Sequence, residues 1–254
     1  MSNANNPFKP PEAVVSDYRP EAGNFIPEGR RVPAGNGVAW LSQGWELFRA
    51  APGTWIGLSV VYILLMVVLG LIPLVNFLLS LLAPIFVGGI MLGCKALDDG
   101  EELRIGHLFA GFSSHAGGLA LVGLLYLAGV FGIGLVMALL IGGSIGLGAL
   151  SGGNLPIFGV IIGGLVAALL IIPLAMAVWY APALVVLQQQ TAFEAMKASF
   201  FIGIRNFLPF LVYGLVFLVL AVIATLPLGL GWLVLIPVLQ ASIYTSYKDM
   251  FIES

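Results

Sequence analysis

The side chains able to do chemistry in this chain are few, and their spacing narrows what they can do. Asp98-Asp99-Gly100-Glu101-Glu102 is the densest acidic run. Hard divalent cations prefer carboxylate oxygens, but the run lacks the 1, 3, 5 and 12 spacing of a calcium loop. Its acids precede a segment from Leu103 to Phe112 that reads as a helix, whose positive dipole end they favour. His107 and His115 stand eight apart across Ser113-Ser114, with no His-Glu-His spacing and no nucleophile beside a base. Both read as interfacial side chains. Cys94 is the single cysteine, so neither a disulfide framework nor a thiolate metal site can be built, and it reads as a small packing residue. Gly35-Asn36-Gly37 follows no strand and lacks the further glycine and lysine of a phosphate loop, which leaves a hinge. No catalytic residue, metal or cofactor is implied, and the chain reads as a protein without enzymatic activity.

The basic residues support a different chemistry. Arg49, Arg104, Lys197 and Arg205 each fall in a short polar segment beside an apolar run. Anionic lipid headgroups are their natural partners, although acidic neighbours limit the net field. A net charge of −2 supplies no basic face for nucleic acid, which is set aside.

The elements that must position these residues belong to a membrane protein. The 254 residues are 60% hydrophobic and 9% charged, with a mean hydropathy of +1.07. Several runs exceed the roughly 20 apolar residues that cross about 30 Å of hydrocarbon as a helix, without the alternation of a barrel strand. The expected fold is all-α, with six transmembrane helices over about 55–72, 74–97, 119–141, 157–187, 207–226 and 232–247. They form three hairpins, each preceded by an interfacial amphipathic helix. Residues 38–254 make the transmembrane domain. Residues 1–37, with Pro7, Pro10, Pro11, Pro20, Pro27 and Pro33, read as a disordered cytoplasmic tail without a signal peptide.

Three segments are expected to lie along the membrane surface. In Gln188–Asn206, Thr191 and Glu194 match a capping box, with Phe193, Met196, Phe200 and Ile204 on one helical face. From Trp40 to Ala51, Leu41, Trp45 and Phe48 share a face until Pro52-Gly53 ends the helix. In the third, Ile105, Leu108, Phe109 and Phe112 face one way.

Leu119–Leu187 has no charged residue or histidine and is divided at Gly142-Gly143 through Gly152-Gly153-Asn154 and Pro156. The second of its two spans is long enough to need tilt, or a kink at Pro173 or Pro182. The pairs Gly89/Gly93, Gly142/Gly146 and Gly159/Gly163 permit close helix approach. In the six-span arrangement every basic residue falls on one side, which places both termini in the cytoplasm. Pro73, Pro84 and Lys95 are matched by Pro227, Pro237 and Lys248, a parallel repeat of the outer hairpins.

Trp40, Gly44-Trp45, Leu47-Phe48, Leu108-Phe109-Ala110-Gly111-Phe112, Ala181-Pro182-Ala183-Leu184, Glu194-Ala195-Met196-Lys197-Ala198-Ser199, Arg205-Asn206 and Tyr244-Thr245-Ser246-Tyr247-Lys248-Asp249 together resemble an uncharacterised family of six-span bacterial inner-membrane proteins. The resemblance runs from about Gly29 to the C-terminus. Pro182-Ala183-Leu184-Val185 followed by Glu194-Ala195-Met196-Lys197 is also distantly similar to the membrane domain that accompanies some glycerophosphodiester phosphodiesterases. That resemblance implies a fold and a location but no chemistry, because the attached catalytic domain has no counterpart.

Two functions remain. One is a non-enzymatic lipid-interacting, accessory or scaffold protein of the cytoplasmic membrane, whose partners are membrane lipids and another membrane protein. The alternative is a carrier or scramblase for a neutral or lipid substrate, since Gln240, Ser242, Thr225, Ser80 and Ser59 are its mid-membrane polar groups and none is ionisable.

Overall fold

The computed structural model describes residues 24–72, 75–151 and 155–253. The greater part of the proline-rich tail, 1–23, lies outside them. From Asn24, however, the chain runs as a strap against the C-terminal residues. Phe25 bridges Ile252 in an antiparallel sense, Ile26 N donates to Phe251 O at 2.8 Å and Arg30 N to Met250 O at 2.8 Å. Proline excludes a helix here but leaves alternate N–H groups free to pair, so the composition that suggests disorder also suits an extended strap.

Ten α-helices follow among the described residues: α1 (Asn36–Ala50), α2 (Pro52–Gly70), α3 (Val75–Asp98), α4 (Ala110–Ser114), α5 (Ala116–Ser151), α6 (Leu155–Trp179), α7 (Ala181–Gln188), α8 (Ala192–Arg205), α9 (Phe207–Thr225) and α10 (Trp232–Phe251). A 3-10 turn, Ile105–Phe109, precedes α4. Among the described residues five stretches are long and apolar enough to cross a membrane: Pro52–Gly70, Leu78–Asp98, Ala116–Leu150, Pro156–Gln188 and Phe207–Thr225. The expected sixth, 232–247, falls within α10, which is not among them: it carries Gln240, Ser242, Thr245 and Ser246 and ends in Lys248 and Asp249.

Ser242, Thr245 and Ser246 are buried and bonded to neighbours, and Gln240 is half-buried and accepts from Ser59 Oγ at 3.4 Å. Tyr213 and Ser242 share a hydrogen bond of 2.7 Å, Tyr180 OH donates to Ser246 Oγ at 2.9 Å and Thr245 Oγ1 to the Trp40 carbonyl at 2.9 Å. Helix α10 is therefore the polar-studded centre of the bundle, enclosed by protein where the apolar helices face outward. Each bond satisfies a group that would be costly to leave bare in hydrocarbon.

Several elements differ from expectation. The break proposed at Gly142–Pro156 does not begin at its first glycines, because α5 continues through Gly142, Gly143 and Gly146 to Ser151, and Gly152-Gly153-Asn154 lie outside the described residues. Glycine weakens helices in water, whereas in hydrocarbon the helix is the conformation that satisfies its backbone internally. Among the described residues nothing approaches Gly142 or Gly146; close contacts between α5 and α6 are made by Gly159, against Ser144 and the Leu140 carbonyl, and by Gly129, against Leu174. The long fourth span does break, at Tyr180, where Pro182 opens α7.

The Leu103–Phe112 helix is instead an extended start, the 3-10 turn and α4. Leu108 is buried while Ile105, Phe109 and Phe112 stand outward. The tight turn lets the backbone sit on α3, where Gly89 meets the His107 and Leu108 carbonyls and Gly111 meets the Ile85 carbonyl. Helix α1 is amphipathic, but its inner face meets protein. It runs antiparallel to α10, with Gly44 against Ser242 N and Val238 O, and it buries Trp40, Leu41 and Phe48 while Trp45 faces out.

Candidate lipid headgroup site

Helix α8 is assembled from its ends. Gln189 in the left-handed conformation, φ 54°, ends α7. Thr191 then adopts an extended conformation, φ −65° and ψ 153°, and its side chain accepts from Glu194 N. The Glu194 carboxylate returns to Thr191 N at 3.4 Å and accepts from its hydroxyl at 2.8 Å, the expected reciprocal box. At the far end, Asn206 Nδ2 donates to the Ile202 carbonyl at 3.1 Å and to the Arg30 carbonyl at 3.1 Å. Asn206 Oδ1 accepts from Val32 N at 2.9 Å, which ties the strap to the α8–α9 corner.

Small residues turn inward. Ala192, Ala195, Ser199, Ile202 and Gly203 are buried. The Ser199 hydroxyl donates to the Met176 carbonyl at 2.6 Å and accepts from Tyr180 N at 3.0 Å, satisfying backbone groups released where α6 breaks. The face expected to be apolar lies outward: Phe193 and Ile204 are exposed, and Met196 and Phe200 are half-buried.

Between these two faces, Glu194, Lys197, Ala198, Phe201 and Arg205 look toward Gln190 and strap residues Phe25, Pro27 and Glu28. They enclose an open cavity of about 570 Å³. Arg205 donates to the Glu28 carbonyl at 3.0 Å and stands 3.6 Å from its carboxylate. Lys197, among the described residues, has no hydrogen bond or ion pair. Gln190 Oε1 is buried without a partner among them. The cavity thus presents two cations beside apolar walls, the mixture that a phosphate headgroup and its acyl chains need.

Lys197 and Arg205, two of the four expected headgroup residues, are brought together here; Arg49 and Arg104 are not. Arg49 pairs with Glu46 at 3.3 Å with both side chains about two-thirds exposed, 61% and 65%, and Arg104 stands 3.6 Å from Glu102 in open solvent. The cavity's strap wall was missed from sequence, and its nearest signal was that the family resemblance begins at Gly29, within the supposed tail.

A second polar cavity, about 580 Å³, lies where α1, α3 and α10 meet. Arg30, Asp98, Lys248 and Asp249 are committed to one another and to neighbours in it. Asp249 accepts from Trp40 Nε1 at 2.7 Å, Asn36 Nδ2 at 2.8 Å and Arg30 at 3.3 Å. Asp98 accepts from Tyr244 OH at 3.0 Å and Lys248 at 2.7 Å. The acidic run therefore serves ion pairs, with Asp99 on Lys95 at 2.6 Å and Glu102 beside Arg104. No metal-ligand group occurs among the described residues.

Fold and site define a multi-pass, all-helical transmembrane protein whose charged residues gather at one end of the bundle. Comparison with known proteins gives the same class. The chain is 32% identical over 225 residues to a probable inner membrane protein of Burkholderia thailandensis, covering 84% of this chain and 82% of that one. It belongs to the family of that protein. No protein-family model matches the chain, and no solved structure matches it.

Proposed function

We propose that this is a six-span protein of the bacterial inner membrane, both termini cytoplasmic, that holds anionic lipid at its cytoplasmic face in a non-enzymatic, accessory role. The observation that carries the reading is the pairing of Lys197 and Arg205 on one wall of an apolar-lined cavity, beside the exposed Phe193, Ile204, Phe207 and Leu208. A headgroup phosphate there meets both cations while its acyl chains follow the outward apolar face. The relative's description as an inner membrane protein supports the location, and the gathering of bases at one end supports the orientation.

The strap supports the span number. Its pairing with residues 250–253 brings the two ends of the described chain together, which favours an even number of crossings between them. Five long apolar stretches then call for α10 as the sixth, its polarity tolerated because neighbours enclose it.

The test is the lipid that remains with the protein purified in detergent. Replacing Lys197 and Arg205 by Gln should cost about 1 kcal/mol per charge, roughly fivefold each in anionic-lipid retention. The same exchange at Arg49 and Arg104 should cost much less. Equal losses from the two pairs would remove the cavity from the argument. Proteoliposomes should show no proton-driven solute uptake, and robust uptake would put the carrier ahead.

A further inference from the structure

The cavity beside α8 contains its own anions. Lys197 and Arg205 are balanced by Glu194 and Glu28, so in the described conformation the site has no net charge with which to attract a phosphate. The two carboxylates are held very differently. Glu194 is committed to the start of α8, accepting from both the backbone and the hydroxyl of Thr191. Glu28 is 83% exposed, and its carboxylate touches Arg205 only at 3.6 Å. The shorter bond from Arg205 goes to the main-chain carbonyl of Glu28 at 3.0 Å, so the guanidinium stays anchored wherever the Glu28 side chain points.

We propose that the Glu28 carboxylate is the resident counter-anion of this site and that a lipid phosphate binds by exchanging with it at Arg205. This rests on the headgroup reading above and specifies how the site is regulated. The carboxylate swings into water, its most favourable environment, and the phosphate takes its place between Arg205 and Lys197. Anchoring through the main chain preorganises Arg205 for a planar, two-point grip on phosphate oxygens. The strap keeps its other ties, through Asn206 and residues 250–252, so the exchange requires no unfolding. It also sets selectivity, because a zwitterionic headgroup adds to its phosphate a cation that Lys197 and Arg205 repel, which weakens its competition with the carboxylate.

The experiment titrates detergent-solubilised protein with short-chain phosphatidylglycerol, phosphatidylcholine and soluble glycerol phosphate. Glu28→Gln should tighten phosphatidylglycerol binding roughly fivefold, the scale of one surface charge. Glu101→Gln makes the same change in net charge outside the cavity and should have little effect. The Glu28→Gln gain should vanish in an Arg205→Gln background. Glycerol phosphate should bind far more weakly than the lipid, and equal binding would overturn the membrane source of the anion. Phosphatidylglycerol preference that depends on Lys197 and Arg205 but ignores Glu28→Gln would overturn the exchange alone. Loss of any preference over phosphatidylcholine, in wild type and Glu28→Gln alike, would overturn the headgroup site itself.

Discussion

Asp249 shows how one carboxylate can set the geometry of several segments. It accepts from Trp40, Asn36 and Arg30 while its side chain is only 18% exposed, so removing it leaves an indole N–H and the Asn36 amide without their acceptor, while Arg30 keeps its bond from Nε to the Asp249 main-chain carbonyl at 2.6 Å. Hydrogen bonds to a charged group contribute about 1.5–3 kcal/mol each, and partial exposure of Arg30 lowers its share, so Asp249→Ala should destabilise by about 3 kcal/mol. Arg49→Gln should cost less than about 0.5 kcal/mol, since its pair with Glu46 is solvated. Thermal unfolding in detergent compares them, and similar losses would contradict the network. The residue scale also marks the limit of sequence reading. The Thr191–Glu194 box was legible because both partners sit within one turn, whereas nothing near Trp40 or Asp249 reveals a bond that spans most of the chain.

At the scale of elements, each short amphipathic segment rests on a long helix other than the pair it precedes: α1 on α10, the 3-10 turn and α4 on α3, and α8 on α6. Two of these crossings are alike in detail. Gly44 stands over the Val238 carbonyl and Gly111 over the Ile85 carbonyl, and each carbonyl follows a proline inside its helix, Pro237 or Pro84. The proline repeat read from sequence thus marks equivalent crossing points.

A Cβ at Gly44 would lie 2.8 Å from backbone atoms of α10. Gly44→Ala should therefore cost about 1–3 kcal/mol through overpacking. Gly146, with open space around it, should gain up to about 1 kcal/mol on replacement by alanine. Unfolding of the two variants in one detergent checks the pair, and shifts of the same sign would argue against close packing at Gly44. Sequence spacing identified Gly89 and Gly93 correctly but could not separate them from Gly142 and Gly146, because small-residue spacing permits contact without naming a partner. It also assigned α1 to the membrane surface, since an amphipathic stripe looks the same whether protein or lipid covers it.

For the whole molecule, the consequence of greatest reach is the path across the membrane. Helices α5 and α6 have 36 and 25 residues, about 54 Å and 38 Å at 1.5 Å per residue, against roughly 30 Å of hydrocarbon. This pair must cross with tilt, and its outward apolar residues suit lipid on every side. At the charged end, ion pairs join α3, α10, the strap and α8, while the turn between α9 and α10 has none of the basic residues. Single cysteines in a Cys94→Ala background test the resulting path: Leu150 and Leu228, exposed at 88% and 98%, should face away from the cytoplasm, and Glu102 and Glu253 should face it. A membrane-impermeant thiol reagent applied to intact spheroplasts should label the first two, and applied to inverted vesicles the second two. Labelling of Leu228→Cys and Glu253→Cys from the same side would mean that α10 does not cross. Because the strap ties Asn24 to Glu253, one of the five apolar stretches would then have to remain on its own side as well, leaving four crossings in place of six.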